Sequence, residues 1–205
     1  MKKNIAVLVS GGGTNLQALL DAQAAGHLPH GRITLVISNN PSAYALERAK
    51  AAGVPGVVIT KGNGTARDFE AQLQSVLTEY DTDLIILAGF MSILSRWFTD
   101  QWPRRILNVH PSLIPAFCGE GFYGLRVHQA ALNYGVKVTG ATVHFVNEIP
   151  DGGEIIAQKA VRIEDGDTPE LLQRRVMEQA EWILLPQAAE AVCASLDNTK
   201  HEVQL

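Results

Sequence analysis

Asn108 and His110 are the two residues whose types and spacing best suit chemistry on a carbonyl group. They begin the segment 108–115, directly after a short apolar run. Because side chains alternate along a strand, the amide and the imidazole are expected on one face at its end, where Pro111 stops the ladder. An amide donates a hydrogen bond to a carbonyl oxygen, and an imidazole exchanges a proton near neutral pH. The pair predicts a carbonyl-polarising site, with a capping Asn and a structural His as the alternative.

A second candidate site is the glycine-rich turn at residues 10–15, between a predicted strand and a predicted helix. Glycines let a backbone approach a ligand closely, and the first N–H groups of a helix favour an anion. The turn lacks the lysine of a Walker A motif, and Leu16 replaces the last glycine of a dinucleotide-binding motif. It predicts a phosphate or carboxylate site, with a tight turn capped by Thr14 as the alternative.

Four further side chains are weaker candidates. Asp151 lies in a Pro-Asp-Gly-Gly segment typical of a turn, but a carboxylate that reached His110 would favour its protonated form and fix its orientation. His144 and His128 could support the site, with a structural role favoured for His128. Cys118 could act as a thiol nucleophile near a histidine, although an incidental loop cysteine is the commoner case.

The elements that must position these residues follow a repeated strand–helix pattern. The predicted strands cover residues 5–9, 33–37, 57–59, 84–88 and 106–110, and the predicted helices cover 16–24, 43–52, 67–80 and 94–102. This alternation predicts an α/β fold with a doubly wound, mostly parallel sheet. Residues 140–146 and 154–161 predict an appended antiparallel pair, and a long helix is expected from Thr168 towards Ser195 with Pro186 inside it. Residues after Leu196 are expected to fray.

Composition narrows the classes of function. The chain has 205 residues, which suits one domain, and a net charge of −4, which argues against a nucleic-acid surface. It shows no apolar run of membrane-spanning length and no signal-peptide pattern. Two distant cysteines suggest neither a disulfide framework nor a metal site. We therefore expect a cytoplasmic protein without a membrane or nucleic-acid partner.

In combination, these motifs resemble the phosphoribosylglycinamide formyltransferase family, the folate-dependent transformylases of purine synthesis. The resemblance spans nearly the whole chain. It rests on residues 10–15, 87–91, 93–94, 108–115, 142–146 and 151–153, and on Glu181 ahead of Pro186. The chain departs from the family pattern at Ser92, where an Arg is frequent, in the longer segment 117–124, and just before Glu181.

The resemblance implies a Rossmann-like formyltransferase fold and one domain over residues 1–205. A phosphate-binding half would cover about 1–105, and a catalytic and folate half about 106–195. It implies 10-formyltetrahydrofolate as co-substrate, glycinamide ribonucleotide as acceptor, no metal, and a monomer or homodimer. The implied catalytic residues are Asn108, His110 and Asp151, and the implied substrate contacts are Gly13, Thr14, Asn15 and Glu181. The implied folate contacts are Arg67, Met91, Ser92, Ile93, Leu94, Asn108 and Asn147.

The mechanism expected from this set is direct transfer. Asn108 and a protonated His110 would donate hydrogen bonds to the oxygen of the migrating group, while Asp151 holds His110 and helps to move the amine proton. The alternatives are a folate formyl hydrolase, a tRNA formyltransferase, a Cys118-dependent acyltransferase, and a non-catalytic nucleotide-binding module. The hydrolase and the tRNA enzyme both carry an additional domain, for which 205 residues are expected to leave no room.

Overall fold

In the part of the chain that the structure describes, one mixed sheet of seven strands organises the fold. The structure is a computed structural model that describes residues 1–198. Its strands are β1 (Lys3–Val9), β2 (Gly31–Ser38), β3 (Gly56–Val58), β4 (Leu84–Leu87), β5 (Ile106–His110), β6 (Val138–Phe145) and β7 (Ile155–Arg162). The order is β3-β2-β1-β4-β5-β6-β7. The first five strands are parallel, and β6 and β7 are antiparallel to their neighbours, which confirms the predicted fold class.

Seven α-helices accompany the sheet within residues 1–198. They are α1 (Thr14–Ala24), α2 (Tyr44–Ala51), α3 (Ala66–Glu79), α4 (Arg96–Thr99), α5 (Leu125–Tyr134), α6 (Pro169–Val176) and α7 (Trp182–Asn198). The α4 helix is shorter than the predicted 94–102, because the Gln101 and Trp102 N–H groups bond only three residues back and Pro103 follows.

The long C-terminal helix is not uniform. Between α6 and α7 the residues Met177–Glu181 form a π-helical stretch, in which the Trp182 N–H bonds the carbonyl of Met177, five residues back. Thr168 caps the start of α6 as expected, with its side chain accepting from the Leu171 N–H. Pro186 lies inside α7. The expectation of a frayed end beyond residue 198 lies outside the described residues.

The side chains of β1 alternate between the two faces of the sheet, and helices cover both faces. Ile5, Val7 and Val9 point into one apolar cluster, which α1, α2, α6 and α7 cover. Ala6 and Leu8 point into a second cluster, which α3 and α4 cover. A strand buried on both faces must be a continuous apolar run, as this one is. No helix in residues 1–198 has both the length and the apolar character needed to span a membrane.

The order of the strands creates a crevice. From β1 the chain moves outward through β2 and β3, and from β4 it moves the other way through β5. Doubly wound sheets bind ligands at such a reversal, beyond the carboxyl ends of the strands. Here the loops after β1 and β4 are tied together, because the Ser10 Oγ accepts a hydrogen bond of 2.8 Å from the Met91 N–H.

Candidate active site

The Asp151 carboxylate connects the two polar side chains at the end of β5. Its Oδ2 lies 3.3 Å from His110 Nδ1, and its Oδ1 accepts a hydrogen bond of 3.4 Å from Asn108 Nδ2. The Gly119 N–H also donates to Oδ2, at 2.9 Å. The structure therefore brings together the three side chains that the resemblance singled out, although His110 and Asp151 are 41 positions apart in the sequence.

His144 joins this group from the neighbouring strand. In the antiparallel register, His144 of β6 lies opposite Asn108 of β5. Its Nε2 lies 3.1 Å from Asn108 Nδ2, and its Nδ1 lies 2.8 Å from the carbonyl oxygen of Phe145. The ring is 1% exposed. This histidine, a weaker candidate from the sequence, is in direct contact with the site.

The loop after β5 covers the other side of His110. The Phe117 carbonyl oxygen lies 2.9 Å from His110 Nε2. Burial lowers the pKa of His110 below its ordinary 6.5, although the Asp151 carboxylate and the Phe117 carbonyl act to raise it. The protonated ring expected from the sequence is therefore not favoured in this conformation at neutral pH.

The segment around Asp151 forms a turn and also contributes a side chain to the site. Asp151 has a φ of 55°, a left-handed conformation that Asp tolerates better than most residues. A Cβ at Gly153 would lie 1.7 Å from the Phe145 carbonyl oxygen, so only glycine fits there. Burial acts to raise the pKa of Asp151, but the nearby His144 and His110 rings and the Gly119 N–H outweigh it and lower the pKa below 3.8. Asp151 is therefore a carboxylate at neutral pH.

A cavity of about 740 Å³ opens beside these side chains. Its volume suits small-molecule ligands. Its lining comes from Asn15, residues 89–93, 108–111 and 119–124, Pro150, Asp151, Gln173, Met177 and Glu181. Five of the predicted site residues outside the trio thus line the cavity: Asn15, Met91, Ser92, Ile93 and Glu181.

Asn15 and Glu181 form a buried polar pair in this cavity. Asn15 Nδ2 donates to Glu181 Oε2 at 2.7 Å, and the two residues are 9% and 6% exposed. Within residues 1–198 the buried Asn15 Oδ1 has no hydrogen-bond partner. Burial raises the pKa of Glu181 to about 7, although the bond from Asn15 opposes the shift. A buried acceptor without a donor is typical of a group that completes its hydrogen bonds with a ligand.

One glycine of the glycine-rich turn is required by the backbone conformation and by close packing. Gly13 precedes α1 with a φ of 72°, and a Cβ there would lie 2.6 Å from the Ala45 Cβ. Thr14 is the first residue of α1 and does not cap it, so the capping alternative is wrong. Gly11 and Gly12 face open space, since a Cβ at either would meet nothing within 4 Å. Neither Gly13 nor Thr14 lines the large cavity.

The loop after β4 forms an apolar rim of the cavity. Met91 is 57% and Ile93 71% exposed, which is unusual for such side chains. Ser92 Oγ accepts a hydrogen bond of 2.9 Å from Asn39 Nδ2, so the residue that replaces the frequent Arg is held by a neighbouring loop. Exposed apolar side chains beside a cavity suit a planar ring.

Three of the predicted folate contacts do not line this cavity. The Arg67 guanidinium carbon lies 3.3 Å from the centre of the Trp97 ring. Leu94 is 3% exposed and packs in the core under α3. Asn147 accepts from the Ile149 N–H at 2.9 Å and stabilises its own turn.

Cys118 lies in the covering loop without the features of a nucleophile. Its Sγ donates to the Pro115 carbonyl at 3.3 Å. Burial and the charge of Asp151 both raise the pKa of the thiol above 9.0. A reactive thiol needs the opposite shift, so this geometry disfavours the thiol mechanism.

His128 is fully buried on α5. Neither ring nitrogen has a hydrogen-bond partner among the described residues. Burial, with a smaller contribution from His110, lowers its pKa to about 4, so the ring is neutral at physiological pH. These features suit the structural role that the sequence favoured.

The cavity residues Gln173 and Met177 and the loop 119–124 were not predicted as part of a site from the sequence. Gln173, Met177 and Glu181 recur every four residues, and this spacing along a helix could have placed them on one face. The loop offered no such signal, because its composition does not determine its conformation.

Comparisons with known proteins agree with this geometry. A family model described as Formyl transferase matches residues 3–188. Phosphoribosylglycinamide formyltransferase from Haemophilus influenzae is 43% identical over 185 residues, covering 90% of this chain and 84% of that protein. The chloroplastic protein of that name from Arabidopsis thaliana is 38% identical over 194 residues, covering 94% of this chain and 66% of that protein.

Some relatives are much longer. The trifunctional purine biosynthetic protein adenosine-3 of Bos taurus is 44% identical over 195 residues, and the match covers 94% of this chain and 18% of that protein. The chain thus spans just under two thirds of the plant relative and about a fifth of the trifunctional protein.

Solved structures show the same likeness. Glycinamide ribonucleotide transformylase 1 from Symbiobacterium toebii matches with a TM-score of 0.88 and 42% identity, over 95% of this chain and 89% of that chain. A formyltetrahydrofolate deformylase from Pseudomonas syringae pv. tomato matches with a TM-score of 0.83 and 26% identity, over 95% of this chain and 62% of that chain. Because the family model matches most of its length, the chain belongs to the formyl transferase family.

Proposed function

We propose that this protein is a phosphoribosylglycinamide formyltransferase. It transfers a formyl group from 10-formyltetrahydrofolate to the amine of glycinamide ribonucleotide in purine biosynthesis. The observation that carries the proposal is the meeting of Asn108, His110 and Asp151 in a cavity that also contains the Asn15–Glu181 pair. The names of the relatives from Haemophilus influenzae and Arabidopsis thaliana support the same substrates.

In this proposal, hydrogen-bond donors stabilise the charge that develops on the formyl oxygen. The amine nitrogen forms a bond to the formyl carbon, the bond from that carbon to the folate nitrogen breaks, and the amine proton passes to the folate nitrogen. Asn108 Nδ2 and His110 Nε2 supply donors for the oxygen once the Phe117 carbonyl has moved away from His110. In this open state the ionised Asp151 accepts a hydrogen bond from Nδ1 of His110, which favours the protonated ring, and Asp151 relays the amine proton. Loss of one donor at such a site costs about 10²–10³ in rate.

The remaining assignments in this proposal follow the family resemblance. Gly13, Thr14 and Asn15 hold the substrate phosphate, and Glu181 binds the ribose or glycinamide end. Met91, Ser92 and Ile93 contact the folate rings. Arg67, Leu94 and Asn147 do not line the cavity, and only the resemblance assigns them to the folate. The half over residues 1–105 binds phosphate, and the half over 106–195 carries the catalytic side chains. We expect a cytoplasmic monomer or homodimer that uses no metal.

A folate formyl hydrolase is the second candidate. It is favoured by the likeness to a formyltetrahydrofolate deformylase, since the same side chains could polarise a formyl group for attack by water. The two candidates differ in the acceptor, which is an amine in one case and water in the other.

One assay separates them. The purified protein is mixed with 10-formyltetrahydrofolate, and loss of the formyl group is followed by absorbance with and without glycinamide ribonucleotide. Transferase activity requires the nucleotide and yields one formylated nucleotide per folate consumed. Folate turnover that is independent of the nucleotide would assign hydrolysis, and no turnover in either mixture would reject both functions.

A further inference from the structure

His144 makes two hydrogen bonds that together fix which of its ring nitrogens carries the hydrogen. The Phe145 carbonyl oxygen, 2.8 Å from Nδ1, can only accept, so Nδ1 carries the hydrogen. A neutral ring with its hydrogen on Nδ1 presents a lone pair at Nε2. Asn108 Nδ2, at 3.1 Å, is nearer to Nε2 than the Asp151 Oδ1, at 3.6 Å, so with this tautomer the amide donates to Nε2.

The Asn108 amide can adopt only one of its two orientations beside these neighbours. Its nitrogen lies between two acceptors, the His144 Nε2 at 3.1 Å and the Asp151 Oδ1 at 3.4 Å. Rotation of the amide by half a turn would place its oxygen between the same two acceptors and lose both bonds. The Asp151 carboxylate is ionised at neutral pH, so it cannot act as a donor to rescue that orientation.

We propose that His144 is a positioning residue, which holds the Asn108 amide with its nitrogen towards the reacting formyl oxygen. The inference rests on the proposed function and adds a residue to it. His144 is 1% exposed, so it would act on the substrate only through Asn108.

The two bonds of Asn108 Nδ2 have different consequences. The bond to His144 is shorter and comes from a strand partner within the sheet, so it anchors the amide. The bond to Asp151, at 3.4 Å, is near the limit of a hydrogen bond. A formyl oxygen can therefore replace Asp151 as the acceptor of this second N–H, and only a weak hydrogen bond is lost. Without His144, the amide could rotate and present its oxygen to the substrate.

The activity test uses four variants: His144→Leu, His144→Gln, Asn108→Ala and the double variant of His144→Leu with Asn108→Ala. His144→Leu removes the acceptor at similar volume, and kcat should fall about 10²-fold with little change in either KM, as expected for lost alignment. His144→Gln can supply an oxygen near the Nε2 position and should restore most of this loss. In an Asn108→Ala background, His144→Leu should lower kcat further by less than about threefold. A residue that acts through the Asn108 side chain has little effect once that side chain is absent.

The matched control is His30→Gln, an exposed histidine outside the cavity, which should leave kcat unchanged. Thermal unfolding of each variant separates loss of fold from loss of alignment. Independent losses that multiply in the double variant, or equal turnover in His144→Leu and wild type, would overturn the proposal.

A second measurement does not need turnover. In protein labelled with ¹⁵N-histidine, NMR should show His144 with a protonated Nδ1 and an unprotonated Nε2, and the Nε2 signal should shift in Asn108→Ala. A hydrogen on Nε2 would contradict the positioning role. Wild-type protein that shows the expected nitrogen signals but transfers no formyl group would reject the proposed function, while the orientation of Asn108 would stand.

Discussion

The main-chain carbonyl oxygen of Phe117 lies 2.9 Å from His110 Nε2, the ring nitrogen that is not in contact with Asp151. A formyl oxygen that accepts a hydrogen bond from this nitrogen needs the same position. The loop must therefore move away before the proposed donor becomes available. Phe117 has a φ of 50°, and a left-handed conformation costs a residue with a Cβ about 1–2 kcal/mol. This strain makes the contact easier to break.

A pair of substitutions at position 117 tests whether this contact delays catalysis. Phe117→Gly and Phe117→Ala both remove the ring that packs edge-on against Tyr134. Only glycine relieves the strain, so it should stabilise the covering conformation by about 1 kcal/mol relative to alanine. The value of kcat/KM should then be up to about fivefold lower for Phe117→Gly than for Phe117→Ala. Equal values measured by steady-state kinetics would show that the contact opens freely.

His110→Ala and Asp151→Asn should each reduce kcat by about 10²–10³-fold, because each removes a preorganised group at the developing charge. Single-turnover measurements would report the chemical step directly. In these measurements the protein is in excess of one substrate, and both substrates are above their KM. Binding of glycinamide ribonucleotide, measured by calorimetry, should survive in both variants, because its phosphate is proposed to bind at the glycine-rich turn. Near-normal turnover in either variant would contradict the catalytic assignment.

Glu181 should make the stability of the protein depend on pH. Burial raises the pKa of this carboxyl from 4.5 to about 7 in the folded state. The folded state then holds the proton more tightly than the unfolded state, so the contribution is fully present below pH 4.5 and is lost as pH rises towards 7. The difference corresponds to at most about 3 kcal/mol.

Urea unfolding at pH 5 and pH 8 would measure this effect. Glu181→Gln removes the titrating group with little change of shape. Its free energy of unfolding should exceed the wild-type value by more at pH 8 than at pH 5. A difference between the two proteins that does not change with pH would show that Glu181 is not buried as described.

Cys118→Ser should retain turnover within about twofold of wild type. The serine hydroxyl can donate to the Pro115 carbonyl as the thiol does, and the raised thiol pKa disfavours a nucleophilic thiolate. Labelling with iodoacetamide at pH 7.5 should be slow in the wild type. A loss of activity by orders of magnitude in this variant would revive the thiol mechanism.

The sequence predicted the parallel part of the fold well, because β1 and β4 are apolar on both faces and glycine-rich turns separate strands from helices. The approach of Asp151 to His110 was implied only by the family resemblance, since no local pattern connects positions 41 residues apart. The position of Arg67 over Trp97 depends on how α3 packs against α4, which periodicity does not reveal. The left-handed backbone of Phe117 was equally hidden, because residues with a Cβ rarely adopt it.

The π-helical stretch Met177–Glu181 makes the direction of the Glu181 side chain depend on the exact number of residues in this segment. Each residue of a helix turns the following side chains by about 100°. Removal of a single residue from this stretch would restore ordinary helical bonding, but Glu181 and the apolar face of α7 could no longer both keep their present directions. Either Glu181 would lose its hydrogen bond with Asn15, or the apolar face of α7 would lose its packing against the sheet. Insertions and deletions should therefore be far less tolerated here than substitutions at the neighbouring exposed positions.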